Sequence, residues 1–373
     1  MIDTVREFVR RDLRAAVVPW ALGRIVVVGS LALTRFGVDH LEGARQPVQL
    51  RQGMFAWDAA FYRDIAENGY GAVKSGALRF FPLVPLLARG LGVVFLGNDA
   101  TALLVIANGS ALLFGALLYR LVRVETGDTR LAVRAAWFGA IFPPAMVLVL
   151  GYAEATFMLL SVAMFLALRS RRFAWAIPFG LLAGLTRPLG VLLAIPAAIE
   201  ATRAWGLAPV RDRVARVGAV VAGPVGSGLY LFWVRYAYGD AWLPITIQND
   251  RAHRGGTVNP FTRVFDGIGD LIHGDRFGSG LHVLWAAVFV ALLVVLLRRL
   301  PASYGLYAAA VVIVNLSARN LDSFERYAMS AFPFALAVAL ITAGPDVERP
   351  VLALSVAGLV GYSVLGFLGV YVP

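Results

Sequence analysis

Apolar runs of about 15 to 23 residues recur along the whole of this 373-residue chain, and nothing else in it constrains the fold as strongly. A run of roughly 18 or more apolar residues is long enough to cross a bilayer as a helix. In lipid a helix satisfies its own backbone groups. A soluble core of this size has no need of so many such runs. Composition agrees, with 59% hydrophobic residues, 15% charged and a mean hydropathy of +0.72. The expected fold class is an all-α polytopic membrane protein, one integral membrane domain over residues 1–373.

The net charge of +11 raises the question of nucleic acid. Its placement answers against that partner. The basic residues, almost all arginine, fall in short clusters between the apolar runs, where the positive-inside rule puts them. Cysteine is absent, which excludes disulfides, thiol nucleophiles and cysteine-ligated metals. Histidines at 40, 253, 273 and 282 show no metal-ligand spacing, and no Walker loop or dinucleotide fingerprint is present. No cofactor is therefore expected. A divalent metal between Asp58 and Glu154 is conceivable, but the spacing does not support it. Without a soluble nucleotide-binding domain, an activated substrate is expected to arrive through the lipid.

Charge also sets the expected topology. Arg6, Arg10, Arg11 and Arg14 precede the first apolar run, 17–36. That run is longer than a signal-peptide core and ends without a small-residue cleavage site. It reads as a retained helix with its N-terminus in the cytoplasm. Residues 37–99 then form a first outer loop. Within it, 80–97 carries Pro82, Pro85 and Arg89 and is expected to dip into the interface. A full crossing there would place Arg120, Arg123, Arg130 and Arg134 outside, against the charge rule. The later runs alternate to give about eleven transmembrane helices, with a second large outer loop at 238–280. Gly180 and Gly184 form a GxxxG pair, the mark of close helix packing.

Under this topology the residues able to do chemistry collect on the outer face. The stretch FAWDAAFYRDIAENGY, 55–70, reads as an interfacial helix with an apolar stripe of Trp57, Phe61 and Ile65. Asp58 and Tyr62 form the neighbouring stripe. A carboxylate at the water–lipid boundary can take a proton from an acceptor hydroxyl, or merely cap and solvate the helix. Arg79 can meet a lipid phosphate or snorkel to headgroups. Glu154 can bind a sugar hydroxyl, act as the base itself, or simply favour the first turn of a helix. Arg187, in Thr186-Arg187-Pro188, interrupts a long apolar run, and a charge so placed points to function. A guanidinium there suits bidentate phosphate binding. Arg326 either does the same or pairs with Glu325 or Asp322. The 238–280 loop offers Asp240, Asn249, Asp250, Arg251, His253 and Arg254 as sugar-binding groups without a sharp motif.

Taken in order, these stretches resemble the PIG-V-type mannosyltransferases. Trp57-Asp58-Ala59, Tyr62, Ile65-Ala66 and Gly69-Tyr70 are similar to that family's first-loop signature. Phe80-Phe81-Pro82-Leu83 and Pro85-Leu86 continue it. Phe142-Pro143, Tyr152-Ala153-Glu154 and Phe157 follow, then Leu185-Thr186-Arg187-Pro188, Gly190 and Pro196. Tyr238-Gly239-Asp240, Arg326-Tyr327 and Phe332-Pro333 complete the series. Ala153 and Leu189 depart from it without removing a chemical group. The resemblance implies a GT-C fold and a polyprenyl-phosphate sugar donor used on the extracytoplasmic face, with Asp58 as catalytic base. The expected reaction is inverting transfer of mannose to a lipid-linked or exported acceptor. Arg187, Arg326 and Arg79 would take the donor phosphate, and Trp57, Tyr62, Tyr152, Glu154 and Tyr327 the substrates. A transporter or flippase of a lipid-linked saccharide, or a structural subunit of an envelope complex, would share the helices and outer arginines but would not need Asp58.

Overall fold

The structure, a computed structural model, describes residues 7–40, 45–251, 253–273 and 280–373. Arg6 of the basic N-terminal cluster, residues 41–44 of the first expected loop and 274–279 of the second lie outside the described residues. Among those described, regular structure is helical, and the one extended pairing is the isolated bridge Thr257–Ala318.

In chain order the main helices are α1 (Phe8–His40), α2 (Asp58–Asn68), α3 (Leu83–Gly92), α4 (Asp99–Thr126) and α5 (Thr129–Ile141). Then come α6 (Glu154–Arg169), α7 (Phe173–Thr186), α8 (Ala194–Thr202), α9 (Val210–Tyr238) and α10 (Pro260–His273). The last five are α11 (Leu281–Arg299), α12 (Ala302–Leu316), α13 (Phe324–Met329), α14 (Pro333–Ile341) and α15 (Pro345–Leu368).

Five of these, α1, α4, α9, α11 and α15, are long and apolar enough to cross a membrane. About eleven crossings are expected from the sequence, and the difference has a local cause. The run 131–149 stops being α-helical at Ile141, where Pro143 and Pro144 open a 3₁₀ segment, Pro143–Leu148. The run 188–202 begins as 3₁₀ helix, Pro188–Leu193. The run 327–344 divides into α13 and α14, with Pro333 opening the second piece. Proline lacks the N–H that continues a helix and clashes with the preceding turn. Helices α6, α7 and α12 have 16, 14 and 15 residues. They rise roughly 21–24 Å, short of a hydrocarbon core of about 30 Å. At ten residues, α3 rises only about 15 Å.

The chain packs as two compact units. The first comprises Met1–Gly69, Pro85–Leu159 and Val338–Pro373; the second comprises Tyr70–Val84 and Leu160–Ala337. In the first unit, the break after α5 leaves backbone carbonyls without helical partners. Arg24 of α1 donates from Nη2 to Leu148 O at 2.7 Å and from Nε to Asn108 Oδ1 at 2.9 Å. Asn108 of α4 donates in turn to Val149 O at 3.0 Å. Irregular backbone at membrane depth persists only where such partners meet it.

In the second unit, α7 and α9 approach until their backbones touch. A Cβ on Gly184 would lie 2.2 Å from Gly223 O, and one on Gly180 would lie 3.0 Å from Ala222 Cβ. The GxxxG pair is thus a contact surface for α9.

Candidate active site

In the first unit, Asp58 is presented by a strained turn. Ala59 N–H donates to Ala56 O at 3.2 Å, and Trp57 between them has φ +59° and ψ −127°. Those angles are the ones glycine supplies at the first central position of a type II′ turn. A side chain held there costs of order 1–3 kcal/mol. Three contacts hold it. Trp57 Nε1–H donates to Gly366 O of α15 at 2.9 Å, and Asp58 N–H donates to the Tyr152 hydroxyl at 3.2 Å. Gly151 N–H donates to Met54 O at 3.1 Å. The non-helical stretch secured by Arg24 and Asn108 is therefore also the stretch that docks the Asp58 turn. Asp58 opens α2 with its side chain half-exposed, while Ala59, Tyr62, Ile65 and Ala66 of the same helix are buried.

In the second unit, three guanidinium groups surround one ring. Arg187, Arg254 and Arg326 lie 5.1, 4.1 and 4.4 Å from the centroid of Tyr327. Arg326 Nη2 also donates to the Tyr327 hydroxyl at 2.7 Å. Arg187 Nη1 donates to Ser330 Oγ at 3.0 Å, and that hydroxyl donates to Arg326 O at 3.1 Å. Arg254 Nη2 donates to Asn315 Oδ1 at 2.9 Å. Burial pushes the Arg254 guanidinium below its ordinary pKa; Tyr327 opposes this, and the charges of Arg326 and Arg187 add to it. The cluster thus concentrates positive charge beside a half-exposed aromatic face.

Local sequence explains how each arginine arrives. Arg187 is extended (φ −157°, ψ 153°) because Pro188 follows and α7 has ended. Arg254 precedes Gly255 and Gly256, at φ +70° and +88°. They reverse the chain so that Arg319 N–H donates to Gly256 O and Asn320 N–H donates to Arg254 O, at 3.1 and 3.0 Å. Arg326 sits in α13, a six-residue helix too short to hold itself. Its neighbour Glu325, fully buried, anchors it to α11 through His282 Nδ1 at 2.6 Å, and Asp322 Oδ1 lies 3.8 Å from His282 Nε2. Glu325 is thus engaged by His282.

The placements differ from the sequence expectations in several respects. The side of α2 that packs inward is Ala59, Tyr62, Ile65 and Ala66; of the expected apolar stripe, Ile65 is buried and Trp57 and Phe61 are half-buried. Tyr62 and Tyr152 were expected to bind the substrates. At 5% and 0% exposure they are interior rings, and Tyr152 instead buttresses Asp58. Glu154, the first residue of α6, is also enclosed, at 2% exposure. Arg79 ends a 3₁₀ turn with its guanidinium 4.8 Å from the Phe80 ring centroid. Arg187, Arg326 and Tyr327 are brought together. Arg254 was only one polar group among several in its loop. The adjacent Gly255-Gly256, a strong turn signal, was the clue to its placement. Among the described residues, no group of three or more His, Asp or Glu side chains is placed to hold a metal ion.

No protein-family model matches the chain. No curated protein matches it by sequence. Among solved structures, it is similar to the Archaeoglobus fulgidus oligosaccharyltransferase in a complex with zinc and sulfate. The identity is 14% and the TM-score 0.46, covering 94% of this chain and 52% of that one. It is likewise similar to the archaeal oligosaccharyltransferase AglB from Archaeoglobus fulgidus bound to an inhibitory peptide and a dolichol-phosphate, with 13% identity and TM-score 0.46 over 96% and 55% of the two chains. The Archaeoglobus fulgidus oligosaccharyltransferase tethered to an acceptor peptide gives 12% identity and TM-score 0.48, again over 96% and 55%. The chain spans about half the length of the structures it matches.

Proposed function

We propose that this chain is a multi-pass membrane glycosyltransferase of GT-C type that uses a polyprenyl-phosphate sugar. The observation that carries the proposal is the gathering of Arg187, Arg254 and Arg326 around Tyr327. Guanidinium forks match phosphate oxygens two at a time. A phosphate monoanion or diester would offset the mutual repulsion of the three cations. The membrane-length helices favour a lipid-borne phosphate, and the resemblance to PIG-V-type mannosyltransferases favours mannose as the sugar. The N-terminus would be cytoplasmic and the chemistry extracytoplasmic.

In the proposed reaction, Asp58 takes the proton of an acceptor hydroxyl. The oxygen attacks the anomeric carbon from the face opposite the phosphate. The bond from that carbon to the phosphate oxygen breaks, and its electron pair leaves on the phosphate. The configuration inverts. The arginines stabilise charge where it develops, the kind of electrostatic assistance that usually dominates such reactions. Asp58 suits the base because it is half-exposed at a turn that fixes its backbone. The acceptor is proposed to be lipid-linked or exported.

The test uses membranes carrying wild type, Asp58→Asn or Arg254→Gln protein, incubated with labelled polyprenyl-phosphate mannose and a native lipid extract. Label should enter a new product with wild type and not with Asp58→Asn. Arg254→Gln should weaken donor use roughly 10- to 100-fold, as expected for losing one charged hydrogen-bond donor of about 1.5–3 kcal/mol. Equal turnover by Asp58→Asn refutes the base assignment. Movement of donor across the bilayer with no bond cleavage identifies a transporter.

A further inference from the structure

We infer that α10, in the loop 238–280, is a membrane-interface helix whose outer face is immersed in lipid. Its residues Phe261, Phe265, Ile268 and Ile272 are 76%, 72%, 41% and 66% exposed. Their spacing of four, three and four places them on one side of the helix. The neighbouring exposed stripe is polar, with Thr262, Asp266 and His273. The inward side is Arg263 and Gly267, both buried. Gly267 lies so close to α11 that a Cβ on it would meet Val283 Cγ2 at 2.1 Å. Arg263 is tied along the helix to Asp270, with Nη2–Oδ2 at 3.3 Å.

This helix does not cross the membrane. Its 14 residues rise about 21 Å, and they include Arg263, Asp266 and Asp270. An amphipathic helix of this kind lies in the interface plane instead. The occupant of its bare stripe is lipid because of what adjoins it. The helix that carries the stripe packs through Gly267 on α11, a helix long and apolar enough to cross, whose Leu284 and Val288 are themselves 51% and 43% exposed. The loop also leaves α9 through exposed Phe232 and Tyr236 and then Trp242, at 72%, 87% and 63%. Aromatic residues of this sort mark the membrane–water boundary. Four large apolar side chains on one face of a helix packed against a membrane-length span need no protein partner.

The absence of cysteine makes the test direct. Single-cysteine variants Phe265→Cys, Ile272→Cys and Asp266→Cys of the full chain are labelled with an environment-sensitive fluorophore. They are reconstituted into phosphatidylcholine–phosphatidylglycerol vesicles with spin-labelled lipid, or with iodide on both sides. Labels at 265 and 272 should be quenched several-fold more by the lipid probe than the label at 266, and the order should reverse with iodide. Equal iodide quenching at all three positions overturns the inference, since the stripe then faces water. Shielding of 265 and 272 from both quenchers also overturns it, because protein then covers the stripe. The readout uses no enzymatic activity, so it stands or falls separately from the proposed glycosyl transfer.

Discussion

Replacing Gly184 by alanine measures how much stability depends on the touching backbones of α7 and α9. The added Cβ would lie 2.2 Å from Gly223 O and 2.9 Å from Ser227 N. Side-chain carbons essentially never come closer than 3.0 Å to such atoms. The helices must therefore separate by about 0.8 Å, the difference between 3.0 and 2.2. Overpacking of this size costs about 1–3 kcal/mol. Separation also strains the bond from Ser227 Oγ to Gly184 O, 3.0 Å long, worth roughly 0.6 kcal/mol inside a membrane protein. Against this, glycine-to-alanine in a helix gains up to about 1 kcal/mol of propensity. Gly228→Ala in α9 supplies the control, because a Cβ there meets nothing within 4 Å. The propensity gain is common to both variants and cancels. Equilibrium unfolding in mixed micelles should thus find Gly184→Ala less stable than Gly228→Ala by about 2–4 kcal/mol. Two variants within about 0.5 kcal/mol of each other, the ordinary scatter of innocuous substitutions, would refute the close-packing argument.

Trp57→Gly should be more stable than Trp57→Ala by about 1 kcal/mol or more, because only glycine adopts φ +59° without strain; thermal unfolding of the two proteins decides it, and the reverse order would mean the turn carries no strain. His282→Leu should destabilise by about 3–5 kcal/mol, since Glu325 would be left buried without its partner; a double-mutant cycle with Glu325→Leu should recover much of that loss, and additive losses would show that the two side chains do not depend on each other. Asn108→Leu should cost about 1–3 kcal/mol by stripping Val149 O of its donor, and amide hydrogen exchange should rise first at Gly151 and Asp58, whose N–H groups join the segment it secures to the Asp58 turn.

The helical, lipid-facing character of the chain was legible because it depends on composition and run length, which need no partner to be read. The α7–α9 contact was legible for a similar reason. Glycines four apart make a flat strip on any helix, and only their target, Gly223, was missing. Arg187 could be singled out because it breaks an apolar run, and Arg326 and Tyr327 because they stand where the run 327–344 opens and belong to the motif series that resembles the PIG-V-type family. Which runs form one unbroken helix could not be read, since hydropathy does not register the breaks and 3₁₀ segments that open at Pro143, Pro188 and Pro333.

What the sequence determined by itself is therefore the solvent and the raw materials: helices for lipid, arginines at their ends, and a carboxylate beside a tryptophan. The tertiary structure alone decided which of these meet. Tyr62 and Tyr152 carry the same rings as Tyr327, yet two are interior and one faces three cations. Arg254 and Asn320 lie far apart in the chain, with α10, α11 and α12 between them, yet their backbones meet through the Gly255-Gly256 reversal. Periodicity records only neighbours within a helix. Burial and charge clustering are set by contacts between segments far apart in the chain, and those exist only once the helices have packed.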